Sequence, residues 1–158
     1  MTDAPRPLNL DDFLCFAVYS AGHAFNRVYR PLLDRLGLTY PQYLAMVALW
    51  EADDVTVGAL GARLGLESST LTPLLKRLQA MGLIERSRDL KDERQVRIRL
   101  TVEGRALHEP ACAIPGELTA ASGMRPEDYA KIREGLDLLK AVLRRAESPQ
   151  GSNAPPGR

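Results

Sequence analysis

Cysteine, histidine and long apolar runs are what this chain has least of, and each scarcity removes a class of function. Two cysteines in 158 residues are too few for a disulfide scaffold, and no Cys-x-x-Cys pair is present, which argues against a thiol peroxidase. His23 and His108 are too isolated in sequence to hold a metal, so neither a metal nor a cofactor is expected. Arg, Asp, Glu or Gly interrupts every apolar stretch before it reaches bilayer length. The start of the chain carries Asp and spaced prolines rather than a basic flank and an apolar stretch, so no secretory signal is expected and the cytoplasm is the expected location. Net charge is only +1, so the balance of charge points to no partner and its placement has to be read instead.

What is present is enough apolar side chain, 45% of residues, for one core. We expect a flexible arm over 1–9, a domain over 10–147 and a disordered tail over 148–158, which is rich in Pro, Gly and Ser. Leu14, Val18, Ala21, Phe25, Val28 and Leu32 recur at spacings of three and four, predicting an amphipathic helix over 10–36 in which Pro31 is a candidate kink. Thr39-Tyr40-Pro41-Gln42 has the form of a capping box and opens a nearly all-apolar helix that Asp53-Asp54 ends. Leu60 and Leu64 mark a short helix closed by Gly65; Leu71, Leu74, Leu75 and Leu78 mark another closed by Gly82. After Gly82 the period changes to two. Val96, Ile98 and Leu100 predict a strand with Arg97 and Arg99 facing solvent, paired with a strand at 83–86. Helical pattern resumes at Thr101, and Tyr129, Ile132, Leu136, Leu139 and Leu143 define a last helix over 126–146. The fold class is therefore mainly α with a small β-hairpin, the layout of a winged helix-turn-helix.

Residue types at two places suggest duplex DNA as the partner. Ser68, Ser69, Thr70 and Thr72 put short hydroxyls at the exposed start of the second helix of the pair, where base edges and phosphates are within reach, and Lys76 and Arg77 follow one turn on. The segment 86–99 carries Arg86, Arg88, Lys91, Arg94, Arg97 and Arg99 against the acids Asp89, Asp92 and Glu93. Arg94 is the candidate for the wing tip, since a narrow minor groove concentrates the negative potential that draws in arginine, and Asp92 is placed to brace its guanidinium. Ser and Thr are also common helix caps, and a mixed-charge hairpin is usually a solvated turn. Their order and spacing favour DNA.

The segments 71–78 (LTPLLKRL), Asp92-Glu93-Arg94 and Leu100-Thr101-Val102-Glu103-Gly104 resemble signatures of the MarR family of bacterial winged-helix repressors, in matching order from about Leu10 to Leu107. The segments 14–20 (LCFAVYS), Val28-Tyr29-Arg30 and 37–43 (GLTYPQY) are similar to the organic-hydroperoxide-sensing branch of that family, called OhrR. The resemblance implies a homodimer built from N- and C-terminal helices, a palindromic operator, and release of DNA when Cys15 is oxidised. It also implies control of a peroxide-detoxification gene, with Tyr19, Tyr29 and Tyr40 supporting the thiolate and the hydroxyls of Tyr29 and Tyr40 donating to it.

Sequence geometry bears on that role separately. Cys15 and Tyr19 share a helix face, whereas Cys15 and Tyr29 are fourteen residues apart, about 21 Å along a straight helix. Two such helices packed antiparallel about a two-fold axis would set Cys15 of one copy against Tyr29 of the other. Asp11 and Asp12 oppose ionisation of the thiol, while the positive end of the helix favours it. Cys112 is the departure from the two-cysteine pattern, because Ala120 stands where the resemblance places a resolving cysteine. Two routes remain open: Cys112 resolves oxidised Cys15, or a low-molecular-weight thiol does. A winged-helix regulator answering to a small aromatic ligand remains the alternative function.

Overall fold

The computed structural model describes residues 8–147, and its packing divides the chain into two units, Met1–Leu118 and Thr119–Arg158. The predicted tail and most of the predicted arm lie outside the described residues. No helix among the described residues is long and apolar enough to cross a membrane.

In the first unit a single 3-10 turn, Leu10–Asp12, precedes α1 (Leu14–Asp34). The helix predicted from 10 thus starts later, because Phe13 is extended at φ −90°, ψ 117°. Pro31 lies within α1, which runs on past it to Asp34, and Gly37 at φ 68° ends the turn that follows, where Leu38 N–H reaches the Leu33 carbonyl at 3.2 Å. The capping box is present. Thr39 Oγ1 accepts from Gln42 N–H, and Gln42 Oε1 accepts from Thr39 N–H at 2.8 Å, opening α2 (Tyr40–Glu51). Gln42, Tyr43, Ala45, Met46, Ala48 and Leu49 of α2 are buried, so this helix is the spine of the core.

The helix-turn-helix follows as α3 (Val57–Leu64) and α4 (Ser68–Ala80). Gly65 at φ 65° and Gly82 at φ 74° terminate them as the sequence predicts. Leu71, Leu74, Leu75 and Leu78 turn one face of α4 into the core and leave the other outward. Two strands, β2 (Ile84–Arg88) and β3 (Val96–Leu100), form the hairpin, with Ile84 opposite Leu100 and Arg86 opposite Ile98. A third strand, β1 (Val55–Thr56), pairs with β3 on its other side and gives the order β1-β3-β2. Two residues carry no period, so this strand was not legible in the sequence.

Beyond β3, Thr101 Oγ1 accepts from Gly104 N–H at 2.9 Å and donates to the Gly82 carbonyl at 2.6 Å, capping α5 (Val102–Ala106). Then come α6 (His108–Ala111) and α7 (Ile114–Ser122), which spans the boundary between the units. The second unit contains α8 (Pro126–Glu147). Tyr129, Ile132, Leu136, Leu138, Val142 and Leu143 of α8 are all exposed, as are Phe13, Leu14, Val18, Tyr19, Phe25 and Val28 around α1.

Gly104 shows how closely the hairpin is seated. A Cβ there would overlap the Leu83 carbonyl oxygen, while the Gly104 carbonyl accepts from Trp50 Nε1 at 2.9 Å. We expect Gly104→Ala to lower stability by about 1–3 kcal/mol, the usual range for overpacking. Urea unfolding checks it, and an unchanged midpoint would show that the backbone at Leu83 yields freely.

Candidate nucleic-acid interface and thiol site

The outward face of α4 starts at an N-cap, Glu67, whose side chain makes no capping hydrogen bond. Ser68, Ser69 and Thr70 are exposed in the first turn, Thr72 is half-buried, and Lys76 and Arg77 are exposed further along. The helix therefore presents hydroxyls and first-turn amides at one end and two cations one to two turns on.

The hairpin sorts its basic residues into two groups. Arg97 Nε donates to Asp54 Oδ1 at 2.7 Å and Arg97 Nη1 to Asp89 Oδ2 at 3.0 Å; Nη2 also reaches the Asp54 carbonyl. Arg99 pairs with Asp54 Oδ1 at 2.9 Å. These two arginines lie on the outer face of β3 as expected, and there both are ion-paired to Asp54 in the turn after α2. Arg86 stands on the Ile98 face of the sheet, and its Nε is buried without a hydrogen-bond partner. Arg88, Lys91 and Arg94 are exposed and form no ion pair among the described residues.

Aspartates shape the wing turn. Asp89 Oδ1 accepts from the N–H of Lys91 at 2.7 Å and of Asp92 at 3.3 Å. Asp92, predicted to brace the Arg94 guanidinium, instead accepts from Arg94 backbone N–H at 3.1 Å and from Gln95 Nε2 at 3.1 Å. A short carboxylate at that point closes an Asx turn on the backbone more readily than it reaches a guanidinium. Arg94's side chain is left free of it.

Asp53 and Asp54 were legible only as a helix stop. Asp54 adopts φ 57°, a left-handed conformation Asp tolerates, and from there meets both arginines. Asp53 Oδ1 accepts from Leu100 N–H at 2.8 Å, and Oδ2 pairs with Arg105 at 2.7 Å. Arg99 first, then Arg97, hold the Asp54 carboxyl down to about 2 from its ordinary 3.8. Backbone N–H of Lys91 first, then Arg97, lowers Asp89.

Cys15 is exposed at the start of α1, near Tyr19, whose ring lies 6.5 Å from Phe16 and 4.4 Å from His23. Tyr29 and Tyr40 come together at 4.8 Å between centroids, and Tyr43 joins them at 6.1 Å from Tyr29. Tyr43 was not among the tyrosines expected at the thiol site. Burial raises the Tyr40 hydroxyl above its ordinary value; burial first, then the charges of Cys112 and Tyr40, raises that of Tyr43, so both stay protonated donors. Because α1 is one continuous helix, Cys15 and the Tyr29–Tyr40 pair are far apart within a chain. Cys112 is also exposed, beside His108, and no group of described His, Cys, Asp and Glu residues has the arrangement of a metal site.

Known proteins match this architecture. The family described as transcriptional regulator SarA/Rot matches residues 27–110. The chain is 48% identical over 142 residues to the HTH-type transcriptional regulator TtmR of Methylorubrum extorquens, covering 90% of this chain and 73% of that one. It is 43% identical over 136 residues to the organic hydroperoxide resistance transcriptional regulator of Bacillus subtilis, covering 86% and 92%. Among solved structures, reduced AbfR bound to DNA superposes with a TM-score of 0.75 at 33% identity, covering 87% of this chain and 94% of that one. Overoxidised AbfR, also bound to DNA, gives 0.70 at 34%, covering 84% and 94%.

The sign of the Asp54 shift yields a test. A carboxyl whose value falls on folding contributes stability that is present above its unfolded value of 3.8 and is lost as pH falls through about 2. We expect wild type to lose stability on acidification through that window more steeply than Asp54→Asn. Thermal melts from pH 5 to 2 should converge for the two proteins, and parallel curves would mean that the pair is too well solvated to couple to folding.

Proposed function

The chain belongs to the SarA/Rot/MarR winged-helix family of transcriptional regulators, and from that premise we propose that it is a homodimeric repressor that binds a palindromic operator and is released when an organic hydroperoxide oxidises Cys15. Release would then derepress a peroxide-detoxification gene. The observation that carries the reading is the separation of an exposed thiol at one end of α1 from a paired Tyr29–Tyr40 site at the other. An antiparallel second copy would close that gap. The uncovered apolar residues of α1 and α8 supply surface for such a pairing. Likeness to the Bacillus organic hydroperoxide resistance regulator supports the signal, and the DNA-bound AbfR structures support the partner.

On DNA, α4 reads the major groove through Ser68, Ser69, Thr70 and Thr72, with Lys76 and Arg77 on phosphates. Arg88, Lys91 and Arg94 are the wing cations for the backbone and minor groove, while Arg97 and Arg99 hold the wing in place. Arg86 is left a backbone-facing role at most by its partial burial.

In the chemical step the Cys15 thiolate attacks one peroxide oxygen. A sulfur–oxygen bond forms, the O–O bond breaks, and the alkoxide leaves as an alcohol after taking a proton from the Tyr29–Tyr40 site or water. The sulfenic acid then condenses with a thiol, losing water and forming a disulfide. AbfR is found on DNA in both its reduced and overoxidised forms, which favours the disulfide over added oxygen as the releasing event. Ala120 at the resolving position favours a small thiol over Cys112 as the second sulfur.

Four substitutions test this on a duplex that the reduced protein itself selects from a random pool. Cumene hydroperoxide with a small thiol should release wild type and leave Cys15→Ser bound; release of Cys15→Ser would move the sensor elsewhere, as a ligand-responsive regulator would require. Cys112→Ser should respond like wild type, and a mapped Cys15–Cys112 disulfide would reverse that assignment. Arg94→Ala should weaken binding by about 1–3 kcal/mol and flatten its salt dependence, whereas Thr72→Ala should cost more on the selected duplex than on random DNA.

A further inference from the structure

A cavity of about 320 Å³ in the first unit lies apart from the DNA-facing residues, lined by Tyr43, Val47 and Trp50 of α2 with His108, Cys112 and Pro115 of the segment after the hairpin. Its volume is at the lower end of small-molecule sites, room for one or two rings. The walls are largely aromatic and apolar, and they are braced. Trp50 Nε1 donates to the Gly104 carbonyl at 2.9 Å, and His108 packs edge-on against Trp50 with centroids 5.3 Å apart at 67°. That contact holds the imidazole where its Nε2 is 3.6 Å and its Nδ1 3.9 Å from Cys112 Sγ. The cavity thus combines a flat apolar seat, a solvent-reached thiol and an imidazole base in contact with it.

We propose that Cys112 is a second reactive thiol of this protein, and that the cavity seats a planar apolar electrophile of the quinone or enone class for addition to it. His108 takes the thiol proton as Sγ attacks the ring carbon conjugated to the carbonyl. A sulfur–carbon bond forms, the carbon–carbon π pair shifts toward the carbonyl carbon as the carbonyl π pair moves onto oxygen, and the proton carried by His108 ends on that oxygen; in a quinone the hydrogen of the attacked ring carbon then passes through water to the second carbonyl oxygen, leaving a hydroquinone thioether. No oxidant or reductant is consumed. A small anionic disulfide would meet Glu51 and no Lys or Arg among the lining residues, whereas a fused aromatic ring matches Trp50 and Tyr43. Tyr43, whose hydroxyl burial keeps protonated, is an available donor to the developing oxyanion.

The test uses the full-length Cys15→Ser protein, in which Cys112 is the one remaining cysteine, so its result does not depend on the peroxide reading. Treated with 1,4-naphthoquinone, the native protein should give a single adduct on the Cys112 peptide, formed at least about tenfold faster than in the same protein unfolded in urea. His108→Gln should remove most of that acceleration. Val47→Phe, which fills the cavity without touching the thiol, should do the same while the far-UV spectrum and melting temperature stay near those of the parent. A native rate within twofold of the unfolded rate, or an acceleration indifferent to either substitution, would overturn the proposal.

Discussion

The turn at Asp53 and Asp54 ties β3 to the end of α2, and the position of the wing depends on that tie. Two adjacent carboxylates meet Leu100 N–H, Arg97, Arg99 and Arg105, so one short segment fixes the strand's backbone and three of its neighbouring cations. Any single exposed pair of this kind contributes little. Here the charges share partners, and Asp89 extends the network from Arg97 into the wing turn itself. Since α2 also carries the core, the hairpin is held to the most buried helix of the unit rather than left to swing on its turn.

This arrangement divides the work among arginines that look alike in sequence. Alternation along β3 correctly separates Ile98 and Leu100 from Arg97 and Arg99, yet it does not reveal that the arginines are occupied. Their partners come from Asp54, more than forty residues upstream, and a period-two reading contains no information about such distant pairs. Arg86 shows the same limit in another form. Its register opposite Ile98 carries it onto the inner face, where a cation is unexpected.

Local rules did well where the chain's own neighbours decide the outcome. The capping box at Thr39, the glycine stops at Gly65 and Gly82, and the leucine face of α4 all follow from short-range spacing. Long-range assembly was the harder part. The two-residue β1, the Tyr29–Tyr40–Tyr43 cluster, and the Cys112–His108 contact against Trp50 each require elements distant in sequence to meet, or are too short to leave a pattern. Periodicity alone would make Cys15 an ordinary packing residue of α1; it was singled out as a candidate by the tyrosines and the family motif around it, and its fourteen-residue offset from Tyr29 lies within the continuous α1.

If oxidation of Cys15 drives release, chemistry at α1 and occupancy of DNA have to change together. The most direct measurement titrates the protein–DNA complex with substoichiometric organic hydroperoxide plus a small thiol. At each step it reads both the fraction of DNA bound and the mass of the Cys15 peptide. The account predicts that DNA is lost in proportion to the disulfide-linked Cys15 peptide and returns on reduction. Loss of DNA while that peptide stays reduced, or full occupancy once it is fully converted to the disulfide, would contradict it.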